Sequence, residues 1–363
     1  MGRKDTVRGA MRRLFPLTAL AAMLIAAPAA GAAEPQPLVD VPPQAFAFTD
    51  HVGGGAHAAA RRAGDSAPTA YMTADGQTVS VVFSRSYTPD ATVAQTYVDF
   101  LGSLAHGNEL SKLHVYIATP AEVRNACGGV AGTLACYDPF SETMTVPGEQ
   151  TADDGSGVTT SYVVAHEYGH HIAWHRSNAP FLALSWGPKY WASQEQVCIN
   201  TIEGRLAPGD EGAHYLANPG EAWADTYAHL KYPKANWQFT NLLRPTTASK
   251  AAALRDVLTP WTKNKTMTFS GRFAPGAPNV QTFKVPLSLD GSLRVALKGP
   301  ARANYDIKLF SLGVQRGKTS GPGSNDVYFT RYACREVNTE NVKVKVVRRT
   351  GYGPFTVNVS YAG

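Results

Sequence analysis

The 363-residue sequence is most informative at first through what it has little of. It holds only 4 cysteines. No two of them show the close paired spacing of a structural zinc cluster, which argues against a metal site built from thiolates. None lies upstream of Cys127, so a leading segment has no thiolate with which to block a metal centre. Four cysteines in an exported chain instead suggest two disulfides. Cys127 and Cys136 bracket a short Gly-rich segment whose closure needs little chain, leaving Cys198 to pair with Cys334.

Long apolar runs are nearly absent as well. The run from Leu14 to Ala29 follows Arg3, Lys4, Arg8, Arg12 and Arg13, contains Pro16 and Pro28, and ends at Ala30-Gly31-Ala32-Ala33. That is the pattern of a secretory signal peptide, residues 1–33, cut near Ala32 or Ala33, and not of a membrane anchor. A secreted, extracellular protein without stable membrane insertion is expected.

Large net charge is missing too, once the leader is set aside. The chain has 34 Lys+Arg against 28 Asp+Glu, and beyond residue 33 the counts are 29 and 27. The basic whole-chain balance therefore gives no argument for a nucleic-acid partner. The remaining charge is unevenly placed: residues 34–264 carry 14 basic and 22 acidic side chains, residues 265–363 carry 15 and 5. Such a split suits either docking of the two parts or a basic part that holds an anionic cell-wall or surface polymer.

What is present centres on Val163-Val164-Ala165-His166-Glu167-Tyr168-Gly169-His170-His171-Ile172. On a helix His166 and His170 project from one face, the spacing for two ligands on one zinc ion. Glu167 is then placed to take a proton from water. A histidine six residues after His170 would supply a third ligand, with glycine three residues after, but those positions hold Ala173 and Arg176. A carboxylate is the alternative, and Asn218-Pro219-Gly220-Glu221-Ala222-Trp223-Ala224-Asp225 offers one on a second helix reaching about Leu230. Glu221 can reach the metal. Asp225, four residues on, can accept a hydrogen bond from the outer nitrogen of His166. Tyr168 and His171 read as packing on the helix's other face.

These two helices resemble the gluzincins, the thermolysin-like zinc metallopeptidases, whose signature is H-E-x-x-H followed by E-x-x-x-D. The resemblance implies Zn2+ held by His166, His170 and Glu221, with Glu167 as general base, Asp225 behind the ligands, and a protein or peptide substrate. The stretch of about fifty residues between the helices departs from the family, so the residue that polarises the substrate does not carry over. His214, Tyr215 and Arg205, in what read as loops dense in aromatic and turn residues, are candidates to stabilise an oxyanion.

The remaining organisation follows from periodicity. Residues 34–68, rich in Ala, Gly and Pro, read as a linker or pro-segment. Residues 69–264 alternate strands and helices: a hairpin from Tyr71 to Phe83, a helix capped by Asp90, a strand Leu113–Ile117, a helix opened by Thr119-Pro120, a hairpin through Tyr137 and Thr143–Val146, and a last helix near Ala248–Leu258. The last strand is expected to border the cleft and offer an edge to an extended peptide. Residues 265–363 show strand alternation with regular turns, an antiparallel sandwich. The runs Ala303–Leu309 and Gly351–Val359 resemble the bacterial pre-peptidase C-terminal domain, a jelly-roll-like sandwich appended to secreted peptidases. The expectation is thus an α+β monomer: a zincin-like catalytic domain followed by an all-β domain. Two rival functions are a secreted binding protein with a vestigial zinc site, and zinc hydrolysis of a non-peptide amide.

Overall fold

The computed structural model describes residues 34–43, 49–52, 63–129, 132–150, 158–337 and 340–363. The expected signal peptide and much of the expected linker lie outside the described residues. The chain is α+β, with helices and one mixed sheet in its first part and two antiparallel sheets in its second.

The first part opens with strands β1 (Thr49–Val52), β2 (Thr69–Met72) and β3 (Thr78–Phe83), then helix α1 (Ala91–Ser103). The Asp90 carboxylate accepts from Thr92 N and Val93 N and so fixes where α1 begins. Strand β4 (His114–Ala118) and helix α2 (Pro120–Ala126) follow. Thr119 and Glu122 close a reciprocal capping box at the start of α2, with Pro120 at its first position. Strands β5 (Thr133–Asp138) and β6 (Thr143–Pro147) lead into α3 (Thr160–Trp174). Three short helices, α4 (Ala183–Trp186), α5 (Lys189–Gln194) and α6 (Val197–Ile202), precede α7 (Pro219–Lys231) and α8 (Thr247–Leu258).

The sheet runs β1-β5-β6-β4-β3-β2. β3, β4 and β6 are parallel, β5 and β2 are antiparallel to their inner neighbours, and β1 is parallel to β5. Alternation decides which residues enter the core. Val79, Val81 and Phe83 of β3, with Val115 and Ile117 of β4 and Met144 and Val146 of β6, pack with Tyr97 and Leu101 of α1 and Val164, Tyr168 and Ile172 of α3. On the other face Tyr116 and Ala118 meet Val123 and Ala126 of α2, together with Cys127 and Cys136. Helices on both faces explain why β4 is apolar through Val115-Tyr116-Ile117-Ala118.

The structure adds to or corrects three expectations. Of the two readings of the segment, linker or pro-segment, residues 34–43 do not behave as a free linker: Leu38 N donates to Thr96 Oγ1 at 2.8 Å, Val41 N to Ser161 Oγ at 3.2 Å, and the Lys231 ammonium pairs with Asp40 at 2.7 Å. Beyond them, β1 adds to the sheet. Composition hid this because the tie comes from individual hydrogen bonds and the single buried Leu38, not from an apolar period. Secondly, β6 is an inner strand and β5 carries β1 on its outer side, so neither leaves the expected open edge. Thirdly, the aromatic stretch Trp186–Trp191, which read as a loop, holds the last residue of α4 and the first half of α5 on either side of Gly187-Pro188, and Trp191 is buried edge-on against Trp223 at 5.8 Å between ring centroids.

The second part is a β-sandwich. Strands β7 (Lys265–Phe273), β8 (Val280–Leu287), β9 (Gly291–Lys298), β10 (Asn304–Ser311), β11 (Val314–Lys318), β12 (Val327–Ala333), β13 (Glu340–Thr350) and β14 (Gly353–Tyr361) form sheets β11-β10-β13-β8 and β12-β9-β14-β7. Inward residues of both sheets, among them Val285, Ile307, Leu309 and Val344 from one and Val295, Leu297, Val357 and Val359 from the other, share a single apolar core. β11 was not foreseen, because Val314-Gln315-Arg316-Gly317-Lys318 has no apolar alternation.

Buried contacts join the two parts. The Lys189 ammonium donates to Ala179 O and Asp290 O, each at 2.8 Å, and sits 4.7 Å from the Trp261 ring centroid. Burial pulls this lysine down to about 8. Between there and its ordinary 10.5 the unfolded chain binds the extra proton, so the Lys189 contribution to stability rises with pH across that window. Asp290 N donates to Ser193 Oγ at 2.9 Å, and the Arg335 guanidinium bonds Ser193 O. The disulfides pair Cys127 with Cys136 and Cys198 with Cys334. The second closes 136 residues of chain across this junction. Loop-closure entropy for so long a loop is on the order of 5 kcal/mol. Replacing Cys198 and Cys334 together by Ser is expected to lower unfolding free energy by several kcal/mol in a guanidinium titration, about twice the loss from replacing Cys127 and Cys136. Equal losses would contradict that ranking.

Candidate metal centre

The centre is assembled by α3 and α7. Thr159 caps α3, its side chain accepting from Tyr162 N, and no proline interrupts the helix before Trp174. Asn218 caps α7 with its side chain on Gly220 N, and Pro219 occupies the first position, where its missing N–H costs nothing. The Asn218 side chain also accepts from Gly209 N at 3.1 Å and donates to Glu211 at 3.0 Å, so the same residue fixes the preceding segment.

The helices approach closely at Gly169. A Cβ there would lie 2.8 Å from Ala224 Cα, closer than side chains tolerate. Beside this contact the Trp223 indole donates to Gly169 O at 2.9 Å. The interior glycine, unfavourable for helix propensity, is what lets the two backbones meet and carries Glu221 to the histidines.

At that meeting point three donor atoms form a nearly equilateral triangle. His166 Nε2 and His170 Nε2 are 3.3 Å apart, and each is 3.4 Å from Glu221 Oε2. A tetrahedral ion about 2.0–2.1 Å from each ligand keeps its donors about 3.3–3.4 Å apart. Two imidazoles and a carboxylate on that triangle therefore fit a divalent ion of zinc's size and ligand preference. His166, Glu167, His170 and Asp225 are fully buried, and Glu221 is nearly so. Glu167 follows His166 on the same helix.

Asp225 lies on the far side of His166, its Oδ1 3.5 Å from His166 Nδ1. That is the partner expected from the sequence, at a separation longer than a good N–H···O bond. Its carboxylate is itself held by the Tyr162 hydroxyl, which donates to Oδ1, while His229, on the next turn of α7, places Nδ1 2.8 Å from the Asp225 backbone O and only 3.8 Å from Oδ2. Burial first, then the Asp225 charge, raises Tyr162 well above the usual phenol range, which keeps it a donor. Sequence reasoning missed Tyr162 and His229. The Asp225/His229 spacing of four on one helix was a usable signal, whereas Tyr162 had none.

The three oxyanion candidates separate cleanly. Tyr215 is buried, with its hydroxyl 3.3 Å from Glu221 Oε2. The His214 side chain is 68% exposed and pairs with Asp210 at 2.8 Å, outside the buried cluster. Arg205 is half exposed and pairs with Glu203. Neither of the latter two is brought to the centre: each is paired with a carboxylate near it in sequence, His214 with Asp210 and Arg205 with Glu203. For the peptidase activity expected from the sequence, Tyr215→Phe is expected to lower kcat several-fold and His214→Ala to leave it within twofold, both read on one substrate. Equal effects would remove this assignment.

Tyr168 and His171 occupy the other face of α3, as expected. The Tyr168 hydroxyl donates to Glu109 at 3.1 Å, and His171 lies between the Tyr137 hydroxyl and Glu109 O, each at 2.8 Å. Glu142, His171 and His175 also converge closely enough to be considered for a cation. Both His171 nitrogens are committed to those hydrogen bonds, however, so His171 has no ring nitrogen left to offer a cation there.

No family model matches this chain, and no curated protein matches it. Among solved structures it is similar over a limited stretch to a family two carbohydrate esterase from Cellvibrio japonicus, with 13% identity, 27% of this chain and 34% of that chain covered, and a TM-score of 0.14. A likeness that slight carries no argument about fold or activity.

Proposed function

We propose that the protein is a secreted zinc-dependent endopeptidase of the gluzincin type, with a zincin-like catalytic domain at residues 69–264 and a sandwich at 265–363 resembling the jelly-roll-like pre-peptidase C-terminal domain. The observation that carries this reading is the buried triangle of His166, His170 and Glu221, set on two packed helices with Glu167 between the histidines. Two disulfides fit an oxidising, extracellular setting, and among the described residues no helix is long and apolar enough to cross a membrane.

His166, His170 and Glu221 would hold the ion. When bound, zinc supplies a Lewis acid that polarises a carbonyl and lowers the pKa of water. The rest is done by the chain's own groups. Glu167 takes the proton from the attacking water and returns it to the leaving amine. Asp225 orients the His166 ring and raises its basicity, while Tyr162 and His229 hold Asp225 in place. The Tyr215 hydroxyl, beside Glu221, donates to the developing oxyanion. The test is digestion of an unstructured protein by the zinc-loaded chain and by Glu167→Gln. Digestion lost only in the variant supports the proposal, and one bound zinc with no digestion by either favours a binding protein with a vestigial site.

A further inference from the structure

Five of the fifteen cationic side chains of residues 265–363 lie close together on one sheet face. On the outer side of the β11-β10-β13-β8 sheet, Lys308 stands directly opposite Lys318 on one neighbour and Lys345 on the other. One rung along, Lys343 is opposite Phe310 on β10 and Lys284 on β8. Five lysines therefore share two adjacent rungs, with three like-charge pairs in direct opposition. Strand spacing of about 4.8 Å and a two-residue rise of about 6.7 Å confine them to a patch about 7 by 15 Å.

Nothing on that face balances them. The strands place one carboxylate there, Asp306, which is buried and bonded by Arg349 Nε at 2.7 Å. Among the described residues none of the five lysines has an ion-pair partner, and all are exposed or half-exposed. The single aromatic, Phe310, has the Lys345 ammonium 4.4 Å from its ring centroid. The other sheet is built differently. There Lys298 faces Thr356, Arg294 faces Phe329 and Ser360, and Arg272 faces Pro354, so no two cations oppose each other. Directly opposed like charges destabilise a sheet, and this sandwich has three such pairs on one face and none on the corresponding positions of the other.

We propose that this lysine face binds a flexible linear polyanion, a polyol-phosphate chain of the kind found in cell envelopes, laid along the two rungs. Ammonium groups at strand spacing meet successive phosphates as point charges, without requiring a fixed groove. The disulfides place the chain in oxidising surroundings, away from nucleic acid, and the face has one aromatic for stacking where single-stranded nucleic-acid sites use several.

The test uses residues 34–363 with a synthetic poly(glycerol phosphate) probe, read by titration calorimetry. If five phosphates are neutralised, affinity is expected to fall about 100-fold between about 50 and 200 mM salt, by analogy with single-stranded polyanions. The triple variant K308Q/K343Q/K345Q is expected to lose at least about tenfold in affinity, while its Tm stays equal or rises because the opposed charges are relieved. R294Q/K298Q, on the other sheet, is expected to bind as the wild type does. Should the triple variant fail to fold, K308Q and K343Q alone are expected each to weaken binding severalfold. Wild-type affinity in the lysine variants, an equal loss in R294Q/K298Q, no binding at low salt, or tighter binding of duplex DNA or phosphatidylglycerol vesicles than of the probe would each overturn the proposal.

Discussion

Replacing Glu167 by Gln is expected to lower kcat/KM for peptide hydrolysis by about a thousandfold, within the 10²–10⁴ range typical of general acid–base groups, and to leave zinc content at one per chain. Glutamine keeps the size and hydrogen-bonding shape of the side chain in a fully buried position, so the fold has little reason to change. What it removes is the basicity that accepts the water proton. Because Glu167 is not among the three converging donors, zinc retention separates a lost base from a lost ligand. Metal analysis and steady-state kinetics on the same preparation provide the check. A fall in zinc content parallel to the fall in rate would place Glu167 in the wrong role.

Gly169→Val should strike the centre without touching any ligand. The smallest side chain at this position would place its Cβ 2.8 Å from Ala224 Cα, and that neighbour is helix backbone, which cannot rotate away. α7 must shift, taking Glu221 with it, while His166 and His170 stay on α3. Overpacking of this kind costs about 1–3 kcal/mol. The displaced carboxylate is expected to weaken zinc binding at least about tenfold, as supporting changes around metal sites commonly do. A chelator competition titration reads the affinity, and thermal unfolding without zinc reads the packing cost separately. Lost stability with unchanged zinc affinity would mean that α7 accommodates the bulk without moving Glu221.

The residues that meet at the centre were legible because the pattern depends on local geometry. His166 with His170, and Glu221 with Asp225, are each four apart, so a helix alone puts each pair on one face. The contributions that cross between elements were not legible. Tyr162 reaches Asp225 only because α3 packs on α7, and nothing in Thr160-Ser161-Tyr162-Val163 announces it. His214 and Tyr215 are neighbours of similar chemistry, and only the folded turn shows one beside Glu221 and the other in solvent. The same distinction holds for the fold. Strands with strong alternation and helices with capping residues were evident, while β1, lying in an Ala/Gly/Pro-rich segment, and the short helices α4 to α6 were not, because tertiary contacts stabilise them more than propensity does. The basic character of residues 265–363 was countable from the sequence. The gathering of five of those lysines on one face depended on strand register, which pairs residues as far apart as Lys308 and Lys345.

The most direct test of the central claim is to incubate an unstructured protein with the zinc-loaded chain in 18O-labelled water and map the products by mass spectrometry. The account expects new internal peptide termini whose carboxylates carry 18O, absent with Glu167→Gln and after chelation. An intact substrate in the presence of a chain carrying one zinc at His166, His170 and Glu221 would contradict it.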